Sequence, residues 1–430
     1  MRMQEPENAE ARLVQAALQA VISGEIDGPF FIYDLDALVE AVRNFEGLAN
    51  NASSHSAQVL FPMFSNPNTE MLRVLTRVNP ATGILVNSPE EAEILDRRGI
   101  GSRARRVFTG GVVGRDQLRR LADLCEIVHC SSLGDLRHLC DIVRESRRAA
   151  VGIGLRVDLN GDALKGLTRS ELPGAWRCVE AAGLRPLSLH AYPGTEIADC
   201  DELLLHADLL LQLATEYPID VINFGGGFGY DYSASCGSID LPNFFRRFGS
   251  MVSSLEAQQR LRPGTTFAWE PGRVLAAGMG AYVARVIEVR PREPGSCDLY
   301  IDGTFANLPA PKIRNRQHRV SVFAFGGQAR TDGPQMTRIC GATTLSTDTL
   351  LPGRLLLPRA EAGDVVVVWD VGCYGRSGSY NFLGRCLPAE IGLQGDRLRV
   401  LRRVQTADEL FGPEPDIEGE EMSCLDRVVA

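Results

Sequence analysis

Between residues 57 and 270 short strand-like apolar runs alternate with amphipathic helical stretches, opening with Gln58–Phe64 and closing with Thr266–Glu270. Eight such runs are separated by seven helical stretches. A strand that is always followed by a helix must cross over before its successor, and this produces a parallel sheet covered by helices. Eight units in about 250 residues predict a closed (β/α)8 TIM-like barrel, with an open doubly wound sheet as the structural rival. After residue 280 the pattern changes to strand-like segments separated by turns rich in Gly and Pro. These predict a second, mostly antiparallel β domain. The expected division is a barrel over 36–280, a β domain formed by 1–35 plus 281–411, and an acidic tail over 412–430.

Composition narrows the function classes. The 430 residues carry 45 basic and 54 acidic side chains, a net charge of −9, which speaks against a nucleic-acid binder. No run approaches the roughly 18 apolar residues of a membrane span; Val365–Trp369 is short and is followed by Asp370. Met1–Glu10 is polar and acidic, without a secretory pattern. The eleven cysteines include no CxxC pair, so we expect a reduced, cytoplasmic protein without a metal site. Only two lysines, Lys165 and Lys312, are present.

Four segments carry candidate chemistry. Asn223-Phe-Gly225-Gly226-Gly227-Phe-Gly229 ends the seventh expected strand, where glycines let a backbone approach a phosphate; a tight turn would need the same residues. Glu270-Pro-Gly272-Arg273 ends the eighth, placing a carboxylate and a guanidinium on the barrel face that carries active sites; an ion pair fixing the loop is the plainer alternative. His190-Ala-Tyr192-Pro-Gly-Thr-Glu196 ends the sixth. His190 alone suits a core histidine, whereas Tyr192 offers a flat face for a planar ligand. Gly372-Cys-Tyr374, followed by Asn381, lies in the second domain, where the Tyr374 hydroxyl can bond a phosphate.

Together with Pro29-Phe-Phe-Ile-Tyr-Asp-Leu-Asp-Ala-Leu38 and Asn66-Pro-Asn68, these segments resemble the fold-type III pyridoxal-phosphate enzymes of the diaminopimelate/ornithine decarboxylase group. The resemblance runs from about Pro29 to Phe411. It implies an alanine racemase-like fold, pyridoxal 5′-phosphate, a small amino-acid or amine substrate, and a homodimer with shared active sites. It also implies roles: Gly225, Gly226, Gly227, Gly272, Arg273 and Tyr374 around the phosphate, and Glu270 on the pyridine nitrogen with Arg156 beside it. Tyr192 takes the place of the ring-stacking histidine. Asp348 would receive a substrate's distal amine from the partner subunit, hinting at a diamino-acid-like ligand.

The departures concern catalysis. The family's Schiff-base lysine corresponds to Phe64 in Phe61-Pro-Met-Phe64-Ser-Asn66, and Asn66-Pro-Asn68 fixes that register. Thr344 stands four residues before Asp348, where the family has a cysteine, and a threonine hydroxyl is a far poorer proton donor than a thiol. His190 and Lys312 complete the set of candidate catalytic residues, Lys312 with Arg314 being suited to an anionic substrate; the plainer alternative for Lys165 and for Lys312 is a solvated or carboxylate-binding side chain. Three functions therefore stand beside one another. One is a divergent decarboxylase-like enzyme of specialised metabolism with non-lysine chemistry and a non-covalent cofactor. The others are a pseudoenzyme that regulates or pairs with a partner, and a scaffold reused for another phosphorylated ligand.

Overall fold

The computed structural model describes residues 6–24, 26, 28–145, 151–159, 161, 166–233 and 238–412. After strand β1 (Phe30–Asp34), eight strands form the barrel. They are β2 (Ser56–Pro62), β3 (Gly83–Val86), β4 (Arg106–Thr109), β5 (Ile127–Cys130), β6 (Gly152–Val157), β7 (Ser188–Ala191), β8 (Val221–Asn223) and β9 (Thr266–Trp269). All are parallel to their neighbours, and β2 closes the ring against β9 with Ser56 opposite Thr266 and Val59 opposite Trp269. The closed ring excludes the doubly wound alternative.

The helices form where caps and apolar stripes coincide. Asp34 accepts hydrogen bonds from the amides of Asp36 and Ala37, starting the helix Leu35–Asn51, which buries Leu38, Val42, Phe45 and Ala49 on one face. Asn68 and Ser88 cap Thr69–Val78 and Pro89–Arg97 in the same way. Leu60, Leu85, Val107, Ile127 and Ala268 form their own small apolar cluster across the barrel strands. Behind the last two strands Phe224 stacks on Trp269 at 4.5 Å, and Phe244, Phe245 and Phe248 of the helix Leu241–Ala257 pack around that pair. This aromatic cluster anchors the strand from which the glycine loop leaves.

The second region is a nine-stranded mixed sheet of β1, β10 (Gly280–Pro291), β11 (Ser296–Ile301), β12 (Val320–Phe323), β13 (Gln335–Cys340), β14 (Leu355–Leu357), β15 (Val365–Trp369), β16 (Ala389–Gln394) and β17 (Arg397–Arg402). Most pairings are antiparallel; β1 with β16 and β11 with β13 are parallel. Three strands, β13, β14 and β16, were not expected from the sequence. Neither was the helix Pro6–Ser23, whose Leu13, Ala17, Leu18 and Val21 pack on Phe30, Ile32, Val365 and Val367. Its alanine-rich face carries a weak apolar signal that became meaningful only against a sheet. The expected tail over 412–430 lies, beyond Gly412, outside the described residues.

Two hydrogen bonds lock the barrel mouth to the sheet. Asn66 Nδ2 donates to Gly372 O at 2.9 Å, and the Tyr374 amide donates to Ser65 O at 2.8 Å. The Asn66 and Tyr374 segments therefore meet at one place although 308 positions separate them.

Candidate active site at the barrel mouth

The floor of the site is built at the C-terminal ends of the barrel strands. Glu270 is almost fully buried, and its Oε1 accepts from Asn223 Nδ2 at 2.8 Å and Thr109 Oγ1 at 3.4 Å. His190 Nε2 lies 3.4 Å from the same oxygen, outside hydrogen-bond alignment. Burial by itself would raise the Glu270 pKa, but the fields of His190, Asn223 and Arg156 outweigh it and hold the carboxyl below its ordinary value. Burial pushes His190 down, against the pull of Glu270. Both members of the pair therefore have a pKa below the ordinary value. His129 stands behind them, its ring 5.0 Å from that of His190, held by Thr109 Oγ1 at 2.8 Å and Ser188 Oγ at 2.9 Å.

The wall is the glycine loop. Gly225 has φ +66° and Gly227 φ +90°, backbone that side chains rarely adopt. A Cβ on Gly226 would sit 2.4 Å from the Glu270 carbonyl, and one on Gly272 would meet Ser65 Oγ. The Glu270 amide donates to Gly225 O at 2.8 Å, joining loop and floor. Among the described residues the Gly226 and Gly227 amides have no hydrogen-bond acceptor.

Arg273, buried, completes this wall with Nη1 on Tyr232 Oη at 2.6 Å and its guanidinium 4.6 Å from the Tyr374 ring centre. Tyr192 packs against Gly225 and bonds Thr195 through its hydroxyl at 2.6 Å. Phe64, on the short turn Met63–Ser65, faces Tyr374 with ring centres 6.1 Å apart. The cavity they enclose is only about 50 Å3, bounded also by Glu196. A neighbouring cavity of about 270 Å3, between barrel and sheet, shares Phe64, Arg273 and Tyr374 and adds Arg314 and Arg316.

The structure thus gathers Gly226, Gly227, Glu270, Gly272, Arg273, Tyr374 and Tyr192 around one cavity, with Gly225 and His190 directly behind them. Arg156 reaches Glu270 through its charge alone, its Nη1 donating to Gly110 O at 3.1 Å. Three of the four sheet-domain candidates lie elsewhere. Lys312 Nζ donates to Thr347 O and lies 5.2 Å from the Phe305 ring centre. Thr344 is exposed on the same loop. Asp348 is buried, and its two oxygens accept from the Phe305 amide at 2.8 Å and the Thr343 amide at 3.0 Å. Each oxygen already holds a backbone amide, so this carboxylate fixes a loop. Lys165 lies outside the described residues.

Sequence reading missed Thr109, Tyr232 and Arg316 as site residues, and it quoted Asn223 and Glu196 within motifs without giving either a role. Thr109 and Asn223 stand at strand C-termini, a position that signals barrel sites; Arg316 gave no signal, since only the sheet domain's packing brings it to the barrel.

The profile described as "Pyridoxal-dependent decarboxylase, C-terminal sheet domain" matches residues 30–372. Among curated relatives, diaminopimelate decarboxylase of Streptomyces coelicolor is 27% identical, covering 95% of this chain and 95% of the relative. L-glutamyl-[BtrI acyl-carrier protein] decarboxylase of Niallia circulans is 25% identical over 94% and 98%. Among solved structures, diaminopimelate decarboxylase from Helicobacter pylori complexed with L-lysine superposes with a TM-score of 0.81 at 20% identity, over 92% of this chain and 99% of that one. Lysine/ornithine decarboxylase from Vibrio vulnificus complexed with putrescine gives 0.73 at 17%, over 90% and 99%.

Proposed function

The chain belongs to the pyridoxal-dependent decarboxylase family, and from that premise we propose that it holds pyridoxal 5′-phosphate without a covalent bond and acts on a small, diamino-acid-like substrate. The family's cofactor is pyridoxal 5′-phosphate, and its members act on small amino acids. The observation that carries the non-covalent reading is the cavity lining. It retains an anionic buried carboxylate and a glycine cradle, while Phe64 fills the rim and no lysine lines it among the described residues.

The residues present suit the group. The Gly226 and Gly227 amides, the Arg273 guanidinium and the Tyr374 hydroxyl would hold the phosphate. Glu270, kept anionic, would hold a proton on the pyridine nitrogen. When bound, the protonated ring is an electron sink for the charge left by loss of CO2. Asn223, Thr109 and His190 fix the rotamer of Glu270, so its carboxylate is oriented before any ligand enters. Tyr192 would cover one ring face. Phe64 can neither accept nor donate a proton, and the exposed hydroxyl of Thr344, on a loop that a partner subunit would contribute, is a weak proton donor. The same two residues favour a second reading, a catalytically silent member that binds the cofactor or another phosphorylated ligand.

The test is an absorption spectrum with and without pyridoxal phosphate, followed by borohydride reduction and peptide mapping. Saturable binding with no pyridoxyl group fixed on a lysine supports the proposal. Fixation on Lys165 or Lys312 replaces it with a relocated covalent site, and absence of binding removes the cofactor from the reading.

A further inference from the structure

Glu196 lies at the cavity wall with φ +62°, a conformation that costs a non-glycine residue on the order of 1 kcal/mol and clusters at functional sites. Its position is fixed from the next residue, since the Ile197 amide donates to Gly227 O at 2.9 Å, on the glycine cradle itself. One oxygen of Glu196, Oε1, serves two guanidiniums: Arg273 Nη2 at 3.2 Å and Arg316 Nη2. Both arginines also rest on one aromatic ring, Arg316 at 4.2 Å and Arg273 at 5.7 Å from the centre of Tyr232. Two cations so close together repel unless an anion lies between them, and here a single carboxylate oxygen supplies it. The cluster keeps one net positive charge beside the unpartnered amides of Gly226 and Gly227. The cavity, at about 50 Å3, is far below the roughly 300–1,000 Å3 of small-molecule sites, so a ligand must either extend into the neighbouring cavity of about 270 Å3 or displace a lining side chain.

We propose that Glu196 is an internal anion standing in for a ligand's phosphate between Arg273 and Arg316, and that Arg316 is a second guanidinium of the phosphate subsite, freed when the ligand displaces Glu196. The proposal rests on the reading that this cavity takes a phosphorylated ligand. It makes Glu196 a competitor that lowers phosphate affinity, and it makes a residue of the sheet domain part of a barrel site.

Calorimetric titration of the full chain with inorganic phosphate, and separately with pyridoxal 5′-phosphate, tests it. Glu196→Gln keeps the side-chain volume and removes the charge, and is expected to tighten both ligands by at least about fivefold. Arg316→Met is expected to weaken both by about tenfold, the scale of one charge-assisted contact. Arg316→Lys, which preserves the charge should the Met variant fail to fold, is expected to lose less. Unchanged or weaker binding in Glu196→Gln, or unchanged binding in both Arg316 variants, overturns the proposal. So does a fall in melting temperature of Glu196→Gln without a gain in affinity, since that is a merely structural ion pair. If no protein binds pyridoxal phosphate but phosphate affinity moves as stated, the cofactor reading fails and this one stands. If wild type and Glu196→Gln bind the cofactor equally, the reverse holds.

Discussion

His190 and Glu270 face each other at 3.4 Å in the barrel, with side chains 1% and 7% exposed; burial lowers the His190 pKa, while His190, Asn223 and Arg156 hold that of Glu270 below its ordinary value against the opposing effect of burial. A depressed pKa favours the charged form of Glu270. Glu270→Gln keeps the shape and the Asn223 contact but cannot hold a proton on a ring nitrogen. We expect weaker binding of pyridoxal phosphate and loss of any turnover of about 100-fold or more, the scale of one preorganised electrostatic partner. Equilibrium titration and steady-state assay check it; wild-type behaviour of the variant would remove Glu270 from the site.

Acid should destabilise the fold before the carboxylates titrate. Burial lowers the pKa of His129, His190, His206 and His318, the last two to about 4. In the unfolded chain each returns to about 6.5 and binds a proton more readily than in the native state. Their contribution is thus complete above about pH 6.5 and is lost progressively as pH falls toward the lowered native values. The depressed pKa of Glu270 adds a loss of the same sign at still lower pH. Urea midpoints at pH 7.5 and 5.0 should differ clearly, with His318→Gln reducing the difference; equal midpoints would contradict the burial argument.

Gly226→Ala should break the loop without touching an apolar residue. Its Cβ would lie 2.4 Å from the Glu270 carbonyl, and neither backbone can yield without moving the floor carboxylate. A destabilisation of roughly 1–3 kcal/mol is expected, together with loss of ligand binding. Gly111→Ala, where a Cβ would meet nothing within 4 Å, is the control.

Phe64→Lys puts an amine at the rim of the cavity. After incubation with pyridoxal phosphate and borohydride, this variant should carry a pyridoxyl mass on the peptide containing residue 64, and the native chain should not. Failure of the variant to be labelled would mean that the Met63–Ser65 turn does not face the cofactor.

Asp348→Asn separates loop fixing from substrate recognition. Asparagine keeps one acceptor oxygen for the two amides of Phe305 and Thr343. We expect a loss of about 1–3 kcal/mol in stability, with no selective loss of affinity for diamino over monoamino ligands. A purely selective effect would instead assign Asp348 to substrate recognition.

The sequence by itself determined the alternating strand–helix units of a parallel sheet, and the pairing of β2 with β9 decided between a closed barrel and an open doubly wound sheet. Eight apolar runs interrupted by amphipathic segments have few ways to bury both faces of a parallel sheet, and the motifs at strand ends fall on one face of it for the same reason. It also located the glycine loop, Glu270 and Arg273, because their backbone requirements and charges are local. What it could not contain was the partnership between elements far apart in the chain. The helix Pro6–Ser23 has meaning only with a sheet to cover, and strands β13, β14 and β16 are too short or too mixed to identify until neighbours supply their hydrogen bonds. The same holds in the site. Asp348 reads as a free carboxylate until folding assigns its oxygens to two backbone amides. Arg316 reads as one of many arginines until packing of the sheet on the barrel sets it on Tyr232 beside Glu196. Local sequence fixes dihedral preference and burial pattern, but the pairing of charges across a fold is decided by which surfaces close against each other.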